Sequence, residues 1–562
     1  MQLILQKGPS AAAGRMRWTG RPLLLTAFTT CLLSAQAPSL NTISLPDAVF
    51  GPSIFDASGN LYTYQLGPVS TGAYQTTNGG GTCLFSNGFF GVPGPCPDAY
   101  VGKFDPSGHL IFGTYLGGNT ADVVTGIVLD PAGNVFITGT TGGGFPTTST
   151  AAIPTSATSK AFAAKLSPDG ARLLYSTYLP DSAVLPYAIS VDAQSNAYVA
   201  GMSGSGHAFI LKLNPDASSF VYNMSLAGSK QDFATAIHSD AAGNLVVAGS
   251  TASLDFPVSI NALQSRLNGA QNLFLARIDS TGSKVSSTYL GGSGTDSISS
   301  LQTDSLDNIY IAGPTTSLDF PTMPGSFESS VVVPLWNATG PGGFAAKLKG
   351  DLSALAWSTF VMSADATRYT TPALPHAGVT QLYVTPSGQT YISGLAGAGF
   401  PVTPSAPPPC FSGPNPIVFV ARLDSRGALA DATYVGANTN FPSGLSASTD
   451  GLVRIVYNNS RNLSTIRFGV ASNLLTPCLS PNVLNSATFV QAGNVVPGEL
   501  ISLTGFGIGP ETPASSTVQV LFDDQPAPVL YAQSRQINTQ APVELTGKSQ
   551  TTISVIYNNS TV

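Results

Sequence analysis

Asp240-Ala-Ala-Gly-Asn-Leu-Val-Val-Ala-Gly249 is the stretch that decides the fold, because the chain repeats it. Its first half predicts a tight turn, since an Asp side chain accepts backbone N–H groups and Gly and Asn tolerate positive φ. Its second half is typical of a half-buried strand. Recognisable copies begin at Asp56, Asp130, Asp192 and Asp304, and divergent copies begin at Thr385 and Thr449. Seven copies of one turn-and-strand unit indicate a repeat architecture.

Each repeat also contains a second recurring half. A Phe-x-Ala-Lys-Leu strand and turn, as in Ala161–Gly170, precedes a strand that ends in Ser-Thr-Tyr-Leu, as in Ser287–Gly292. One unit therefore holds four strands, and four antiparallel strands repeated several times predict the blades of a β-propeller. We expect seven blades within about residues 40–470. The upstream strand Asn41–Leu45 has no partner in its own repeat, so it should complete the last blade and remove an exposed edge.

Variation in repeat length falls mostly between the second and third strands. Pro-, Ser- and Gly-rich inserts lie there, at roughly 64–98, 140–160, 250–272, 314–343 and 395–416. Several share a Phe-Pro step, which we interpret as a buried Phe with Pro ending the strand. In a propeller these inserts emerge on the same side as the links between consecutive repeats, here called the insert-bearing face. The short Asp turns lie on the opposite side, the turn face. Loops that vary on a rigid scaffold usually carry binding, so a ligand is predicted on the insert-bearing face.

Composition supports a turn-dense all-β chain. Its 562 residues are 43% hydrophobic and include 59 Gly and 42 Pro, whereas only 9% are charged. Without residues 1–37, 19 basic residues stand against 29 acidic ones, a formal charge of −10. This balance excludes binding to nucleic acid and to anionic membranes as a predicted function.

The N-terminus predicts export. Basic residues including Arg15, Arg17 and Arg21 precede the apolar run Leu23–Leu33, and Ala35-Gln-Ala37 offers a small-residue cleavage site. A lipoprotein anchored at Cys31 is the alternative. The mature chain has no other apolar stretch approaching ~20 residues, so no transmembrane segment is predicted. We expect a monomer that is secreted, periplasmic or exposed at the cell surface.

The mature chain keeps four cysteines. An even count in an exported protein favours disulfides. Three pairings are possible, and we favour Cys83–Cys96, inside one Gly-rich insert, together with Cys410–Cys478. Four unpaired thiols are the alternative. The spacing does not predict a zinc site.

Three sequence elements together resemble a known family. Tyr-Leu-Gly-Gly-x-Gly-x-Asp, Asp-x-x-Gly-Asn-x-Tyr-x-x-Gly (with Asp307 in place of its first Gly) and Leu-Asp-Phe-Pro follow one another in residues 286–321. The combination is similar to the bacterial seven-bladed β-propeller repeat (SBBP type) of large exported proteins. The resemblance covers about residues 45–470 and implies a propeller, but it does not imply one enzyme activity.

The pattern changes from Cys478 onward. Val496–Pro510 and Ala527–Pro542 show strand alternation broken by Gly and Pro. This region resembles the immunoglobulin-like, IPT/TIG-related domain that ends many large secreted soil-bacterial proteins. Such domains usually carry further strands, so a small, incomplete Ig-like β-sandwich is expected. The predicted division is a signal peptide at 1–37, the seven-repeat propeller at 38–475 and the Ig-like domain at 476–562.

No catalytic residue, metal centre or cofactor is predicted. The histidines of the mature chain are His109, His207, His238 and His376, and no two of them have metal-ligand spacing. The chain also lacks a Gly-x-Ser-x-Gly elbow, a phosphate-binding loop and a His-Glu-x-x-His motif.

One acidic feature recurs. Asp122, Asp232 and Asp296 each stand eight residues before a turn Asp, which predicts a position at the entrance of the innermost strand. A ring of such carboxylates could bind calcium through oxygen ligands. The alternative is that each Asp caps its own loop by accepting backbone N–H groups. Either way these residues are the predicted binding candidates at the channel mouth.

Two functions remain open on the sequence. The favoured hypothesis is an exported, non-enzymatic binding or scaffolding protein that contacts glycan, protein or cell-surface material. The alternative is an extracytoplasmic carbohydrate-active lyase or hydrolase with paired carboxylates.

Overall fold

The computed structural model is all-β apart from two short 3-10 helices, Ser515–Thr517 and Val543–Leu545. It describes residues 39–45, 53–64, 67–86, 91–240, 242–329, 342–361, 377–397, 400–402, 417–435, 441–448, 450–457, 462–467, 478–486, 495–506, 508–510, 514–533, 536–546, 551–558 and 560–561. Within these ranges, no helix has the length and hydrophobicity needed to cross a membrane.

Seven antiparallel four-stranded sheets are formed by strands that lie between Ser39 and Arg467. Sheets I to III are Ser53–Phe55, Leu61–Thr63, Ala99–Phe104 and Leu110–Leu116; Asp122–Leu129, Val135–Thr141, Ala161–Leu166 and Leu173–Tyr178; and Ala183–Val191, Ala197–Ser203, Ala208–Leu213 and Phe220–Leu226. Sheets IV and V are Asp232–Ser239, Leu245–Thr251, Asn272–Ile278 and Val285–Leu290; and Ser300–Thr303, Ile309–Thr315, Gly342–Leu348 and Leu355–Val361. Sheets VI and VII are Ala377–Val384, Thr390–Ala396, Ile417–Leu423 and Leu429–Tyr434; and Pro442–Ala447, Leu452–Tyr457, Asn462–Arg467 and the N-terminal strand Ser39–Ser44.

The repeated Asp turn joins the first two strands as its residues dictate. In sheet II, Asp130 Oδ1 accepts the N–H groups of Ala132 (3.0 Å) and Asn134 (2.9 Å), and Asn134 Nδ2 donates to Asp130 Oδ2 (2.8 Å). Gly133 has a φ of +80°, a conformation that costs glycine nothing. Ser195 takes the same place in sheet III with a φ of 63°.

The sheets surround a common axis. A separate hydrophobic core lies between each pair of consecutive sheets, from I and II through VI and VII. A further core joins sheet VII to sheet I and contains Leu61, Phe104, Val456 and Leu463. First strands of neighbouring sheets contact one another, including the first strands of I and VII. This is the architecture of a β-propeller, so the sequence-based prediction of an all-β propeller is confirmed.

The N-terminal strand completes sheet VII. Ser39–Ser44 pairs antiparallel with Asn462–Arg467, in register from Ser39 opposite Arg467 to Ser44 opposite Asn462. The prediction that this strand completes the last repeat is therefore confirmed. The pairing covers an edge that would otherwise expose unpaired backbone groups.

The inserts follow the outer edges of their own sheets. In sheet II, Thr148 N–H donates to Ser176 O (3.1 Å) on the outer strand, and the insert reaches sheet III, where Ala152 N–H donates to Ala217 O (2.8 Å). Sheets I and V repeat both contacts. In sheet III, residues 204–207 replace the insert, and Val221 on its outer strand is 50% exposed. Parts of the inserts therefore cover the outer strand edges of their own sheets.

The Phe-Pro steps anchor the inserts. Phe145, Phe256, Phe320 and Phe400 are all buried, and each packs against a Phe of the third strand in its own sheet. The interpretation of a buried Phe is confirmed.

The C-terminal region contains two further four-stranded sheets. One is Cys478–Asn485, Leu500–Phe506, Gln536–Gln540 and Val529–Gln533, and the other is Gln525–Ala527, Val518–Phe522, Ile553–Tyr557 and Ser560–Thr561. Buried side chains of both sheets, such as Ile501, Ile537, Val520 and Val555, share one core. Two sheets packed over a common core form a sandwich.

A separate two-stranded hairpin, Thr82–Ser86 with Gly91–Pro95, lies in the insert of sheet I. Cys83 and Cys96 form a disulfide there, with an S–S distance of 2.03 Å, which confirms the predicted bridge. The predicted Cys410–Cys478 bridge involves side chains outside the described residues.

Candidate functional site

The three recurrent aspartates occupy equivalent places on the insert-bearing face. Asp122 and Asp232 begin the first strands of sheets II and IV, and Asp296 lies just before that of sheet V. They are 1%, 0% and 0% exposed. Each lies opposite a Thr of the second strand in its own sheet: Thr141, Thr251 and Thr315.

Each carboxylate closes the loop that precedes it. Asp122 Oδ2 accepts the N–H of Gly118 (2.9 Å), four residues earlier. The corresponding bonds run from the glycines four residues before Asp232 (2.8 Å) and Asp296 (2.9 Å). A buried carboxylate that accepts backbone N–H groups is a structural cap. The hydrogen bonds of Asp122, Asp232 and Asp296 are those expected if each Asp caps its own loop.

Asp296 has the fullest set of donors. Besides the Gly292 N–H, its carboxylate accepts hydrogen bonds from the Thr315 hydroxyl (2.5 Å), the Ser317 hydroxyl (3.0 Å) and Asn272 Nδ2 (3.1 Å). Burial nevertheless raises the pKa of Asp296 above its usual range. Desolvation therefore outweighs four hydrogen bonds.

The structure does not gather the three aspartates into one metal centre. Each belongs to a different sheet and bonds within its own loop. Among the residues that the structure describes, no group of three or more His, Cys, Asp and Glu side chains could hold a metal ion.

Each aspartate also faces a residue at the start of the preceding sheet's third strand, either its first residue or the one directly before it. Asn272 bonds Asp296, and His207 Nδ1 lies 3.8 Å from Asp232 Oδ2. Asp98 takes this place beside Asp122. Sequence reasoning missed Asp98, although it stands directly before the third strand of sheet I, at the position equivalent to Asn272, the first residue of the third strand of sheet IV.

The turn face uses aspartates differently. Each turn Asp of sheets I to V lies close to a cation from the third strand of its own sheet. The pairs are Asp56–Lys103 (3.8 Å), Asp130–Lys165 (3.4 Å), Asp192–Lys212 (3.9 Å), Asp240–Arg277 (3.0 Å) and Asp304–Lys347 (3.3 Å). The four lysines also lie 4.5–5.0 Å from the centroid of an aromatic ring on the second strand. The Lys of Phe-x-Ala-Lys-Leu thus lies on the third strand, and its side chain pairs with the Asp of the turn.

A cavity of about 680 Å³ opens on the turn face. The Asp turns of sheets I to IV line it, including Asp56–Ser58, Asp130–Gly133 and Asp192. Concavity therefore exists on the face opposite to the one for which binding was predicted.

The histidines lie apart. His109 is exposed and pairs with Asp105 across a turn (3.2 Å), and burial lowers the pKa of His238 on the first strand of sheet IV. His376 falls outside the described residues.

One protein-family model matches two segments within the repeats. The family described as beta-propeller repeat (SBBP) matches residues 111–146 and 287–321. None of the curated proteins matches the chain.

Solved propellers are similar at low identity. The WD40 β-propeller domain of Doa1 is 9% identical with a TM-score of 0.38, over 75% of this chain and 94% of that one. BamB from Moraxella catarrhalis is 13% identical with a TM-score of 0.33, over 76% of this chain and 98% of that one. The Pan2 WD40 domain of Neurospora crassa is 11% identical with a TM-score of 0.36, over 79% and 98%.

Proposed function

We propose that this chain is an exported binding or scaffolding protein in which one closed seven-bladed propeller presents its insert-bearing face to a glycan or an extracellular protein. The seven sheets are its blades, and the N-terminal strand closes the ring. Asp122, Asp232 and Asp296 hold the loops of that face, and residues 476–562 form an Ig-like appendage. Residues 1–37 act as the signal for export.

The observation that carries this proposal is the contrast between the two faces. The turns of sheets I to V share one hydrogen-bond pattern, in which Asp accepts the N–H of the residue four positions later. The opposite loops differ from sheet to sheet, from four residues in sheet III to an insert with its own disulfide hairpin in sheet I. A rigid frame with variable loops on one side is the usual arrangement of a binding protein.

The experiment is a glycan and protein-binding array probed with residues 38–562 in three forms. Wild type is compared with Lys230→Glu/Thr295→Arg on the insert-bearing face and with Ala132→Arg/Ala193→Arg at the cavity on the turn face. All four side chains are exposed, so the variants should fold.

Loss of binding only in Lys230→Glu/Thr295→Arg is the expected result. Loss only in Ala132→Arg/Ala193→Arg would move the site to the turn-face cavity. A wild-type protein without any partner on either array would contradict a binding role.

A further inference from the structure

Two junctions between consecutive sheets are built on the same plan. Gln75 in the sheet I insert accepts the Gly117 N–H on its Oε1 (3.0 Å), as Gln264 in the sheet IV insert accepts the Gly291 N–H (3.0 Å). Both junctions continue into a buried aspartate, Asp122 or Asp296. They can therefore be compared atom by atom.

In the second junction the partner of the aspartate is an amide donor. Asn272 Nδ2 donates to Asp296 Oδ2 (3.1 Å), to Gly292 O (2.9 Å) and to Gln271 O (3.1 Å). The three acceptors converge on one point and share the two hydrogens of this amide nitrogen. Asn272 is itself fully buried.

In the first junction that donor is replaced by an acceptor. Asp98 stands in the place of Asn272; it is 3% exposed, and its Oδ1 has no hydrogen-bond partner. Its Oδ2 is occupied by Gln75 Nε2 (2.6 Å) and the Gly79 N–H (2.7 Å). Pro97 and Gly118 are the equivalents of Gln271 and Gly292. Asp122 N–H donates to Pro97 O (2.8 Å), and the Gly118 N–H donates to the Asp122 carboxylate as the Gly292 N–H does to that of Asp296.

The two carboxyl groups meet at one glycine. A Cβ on Gly117 would lie 2.5 Å from Asp98 Cγ, 2.7 Å from Asp98 Oδ1 and 2.7 Å from Asp122 Oδ2. On the equivalent Gly291 it would lie 2.6 Å from Asn272 Nδ2 and 2.4 Å from Asp296 Oδ2. Asp98 Oδ1 therefore occupies the place of the amide nitrogen.

Asp122 has also lost a second donor. The Ser317 hydroxyl that bonds Asp296 has Gly143 as its counterpart, since each residue donates its N–H to the Thr two positions earlier (3.0 Å in both sheets). A Cβ on Gly143 would meet nothing within 4 Å. The first junction thus has one more acidic side chain, two fewer donor side chains and more space.

The pKa values of the two carboxyl groups agree with this shortage of hydrogen-bond donors. Burial raises the pKa of Asp122 to about 6, and the nearby charge of Asp98 adds to the rise. Burial also raises the pKa of Asp98. Two adjacent buried carboxylates are stable as anions only beside a compensating positive charge.

We propose that Asp98 and Asp122 bind a hard divalent cation, with calcium as the ion, between the inserts of sheets I and II. Asp98 Oδ1 and Asp122 are its carboxylate ligands. The carbonyl oxygens of Pro97 and Gly118 face the same place by their equivalence to Gln271 and Gly292. Calcium accepts carboxylates, backbone carbonyls and waters in flexible geometry, so two acidic side chains suffice.

A bound proton alone would not replace what has been lost. Protonated Asp98 supplies one donor hydrogen, whereas the second junction has the two amide hydrogens of Asn272 and the Ser317 hydroxyl. A cation attracts several oxygens at once. This proposal is independent of the ligand of the insert-bearing face.

The test uses residues 38–562 from which bound metal has been removed with a chelator. Isothermal calorimetry measures the binding of added CaCl₂, and thermal unfolding measures the midpoint in EGTA and in calcium. Wild type should bind one ion with a dissociation constant on the order of 0.1–1 mM, the range of weak extracellular calcium modules. Asp98→Asn should weaken binding at least ~100-fold, beyond the loss expected for an indirect partner. Asp319→Asn, which changes a carboxylate in another insert, should bind as wild type does.

Asp98→Asn is expected to fold, because Asn272 shows that an amide fits this place. Its thermal midpoint should not respond to calcium, whereas that of wild type should rise. The proposal is overturned if the wild-type protein shows neither calcium-dependent heat nor a thermal shift up to about 10 mM CaCl₂. A wild-type protein that is stabilised by lowering the pH but not by calcium would overturn it in the same way. Equal calcium binding by Asp98→Asn would also overturn it.

Discussion

Aspartates at the two ends of the same strands have opposite electrostatic surroundings. On the turn face, Asp130 lies 3.4 Å from Lys165, and the other turns of sheets I to V repeat this pairing. On the insert-bearing face, Asp296 lies at the other end of sheet V's strands and is held by neutral donors. The amino acid is the same, but in sheet V only the turn end supplies a cation, Lys347 beside Asp304.

The pKa values of Asp304 and Asp296, at the two ends of sheet V, shift in opposite directions. Burial would raise the pKa of Asp304, yet hydrogen bonds from Asn308, Tyr310 and the turn backbone bring it below its usual range. For Asp296, burial prevails and the pKa is raised. In sheet V the turn therefore stabilises the ionised form of Asp304, whereas the ionised form of Asp296 is held at a cost that other bonds must offset.

The largest expected effect comes from removing the most connected carboxylate. Asp296→Ala should lower the free energy of unfolding by about 3–5 kcal/mol, because it leaves several buried donors without an acceptor. Asp319→Ala, which removes a more exposed carboxylate bonded to Ser293, should cost less than ~1 kcal/mol. Denaturant titration measures both. Equal costs would show that burial of the carboxylate is not what matters.

The disulfide comes next in expected size. Cys83→Ser/Cys96→Ser should cost about 3 kcal/mol, because the bridge closes a loop with a sequence separation of 13. Denaturant midpoints of the oxidised protein and of the double variant give the value. A fully reduced wild-type protein should match the variant, and a difference between them would point to a role of the serines themselves.

Breaking one turn pair should have a moderate effect. Lys165→Met removes a cation whose side chain is 12% exposed from Asp130, which is 2% exposed, and should cost about 1–2 kcal/mol. Arg426→Met breaks the solvent-exposed pair with Asp424 and should change stability by less than ~0.5 kcal/mol. If both variants have the same stability in a thermal melt, the turn-face cations are not structural.

The smallest effect is on pH dependence. The lowered pKa of Asp304 contributes stability that is present above its unfolded pKa of about 4 and is lost as the pH falls through the folded value. The raised pKa of Asp296 acts in the opposite direction, so its ionisation reduces stability as the pH rises through the folded value.

Thermal midpoints from pH 2.5 to 7 measure these contributions. Asp304→Asn should flatten the acid side of the curve relative to wild type. Asp296→Asn should remove the loss of stability that ionisation of Asp296 causes in wild type as the pH rises above the unfolded pKa of about 4. Curves that shift in parallel, without a change of slope, would refute the assignment of either residue.

Much of the fold could be predicted from the repeated turn. Asp, Gly and Asn at fixed offsets specify a backbone conformation locally, so seven copies predicted seven strand pairs and the all-β class. The strand Asn41–Leu45 was assigned to the last repeat because an unpaired edge is unfavourable. Burial of the Phe in each Phe-Pro step is predicted for an equally local reason, because an aromatic ring beside a strand end is stabilised by packing in the core.

The candidate site was predicted only in part. The positions of Asp122, Asp232 and Asp296 followed from their spacing, and their caps form within five residues. The identity of their partners did not follow, because Asp98 is brought to Asp122 by contact between different sheets. The Gly-rich hairpin between Gln75 and Asp98 also hides their equivalence to Gln264 and Asn272.

The sequence by itself determined the turns, the strands and the caps, since these depend on backbone preferences and hydrogen bonds between near neighbours. Only the tertiary structure decided which end of sheets I to V supplies cations, where the inserts run and which two acids meet at Gly117. These outcomes depend on strand pairing and on packing between consecutive sheets. Electrostatic energy depends on distance and burial, which residues far apart in the chain acquire only when the ring of sheets is assembled.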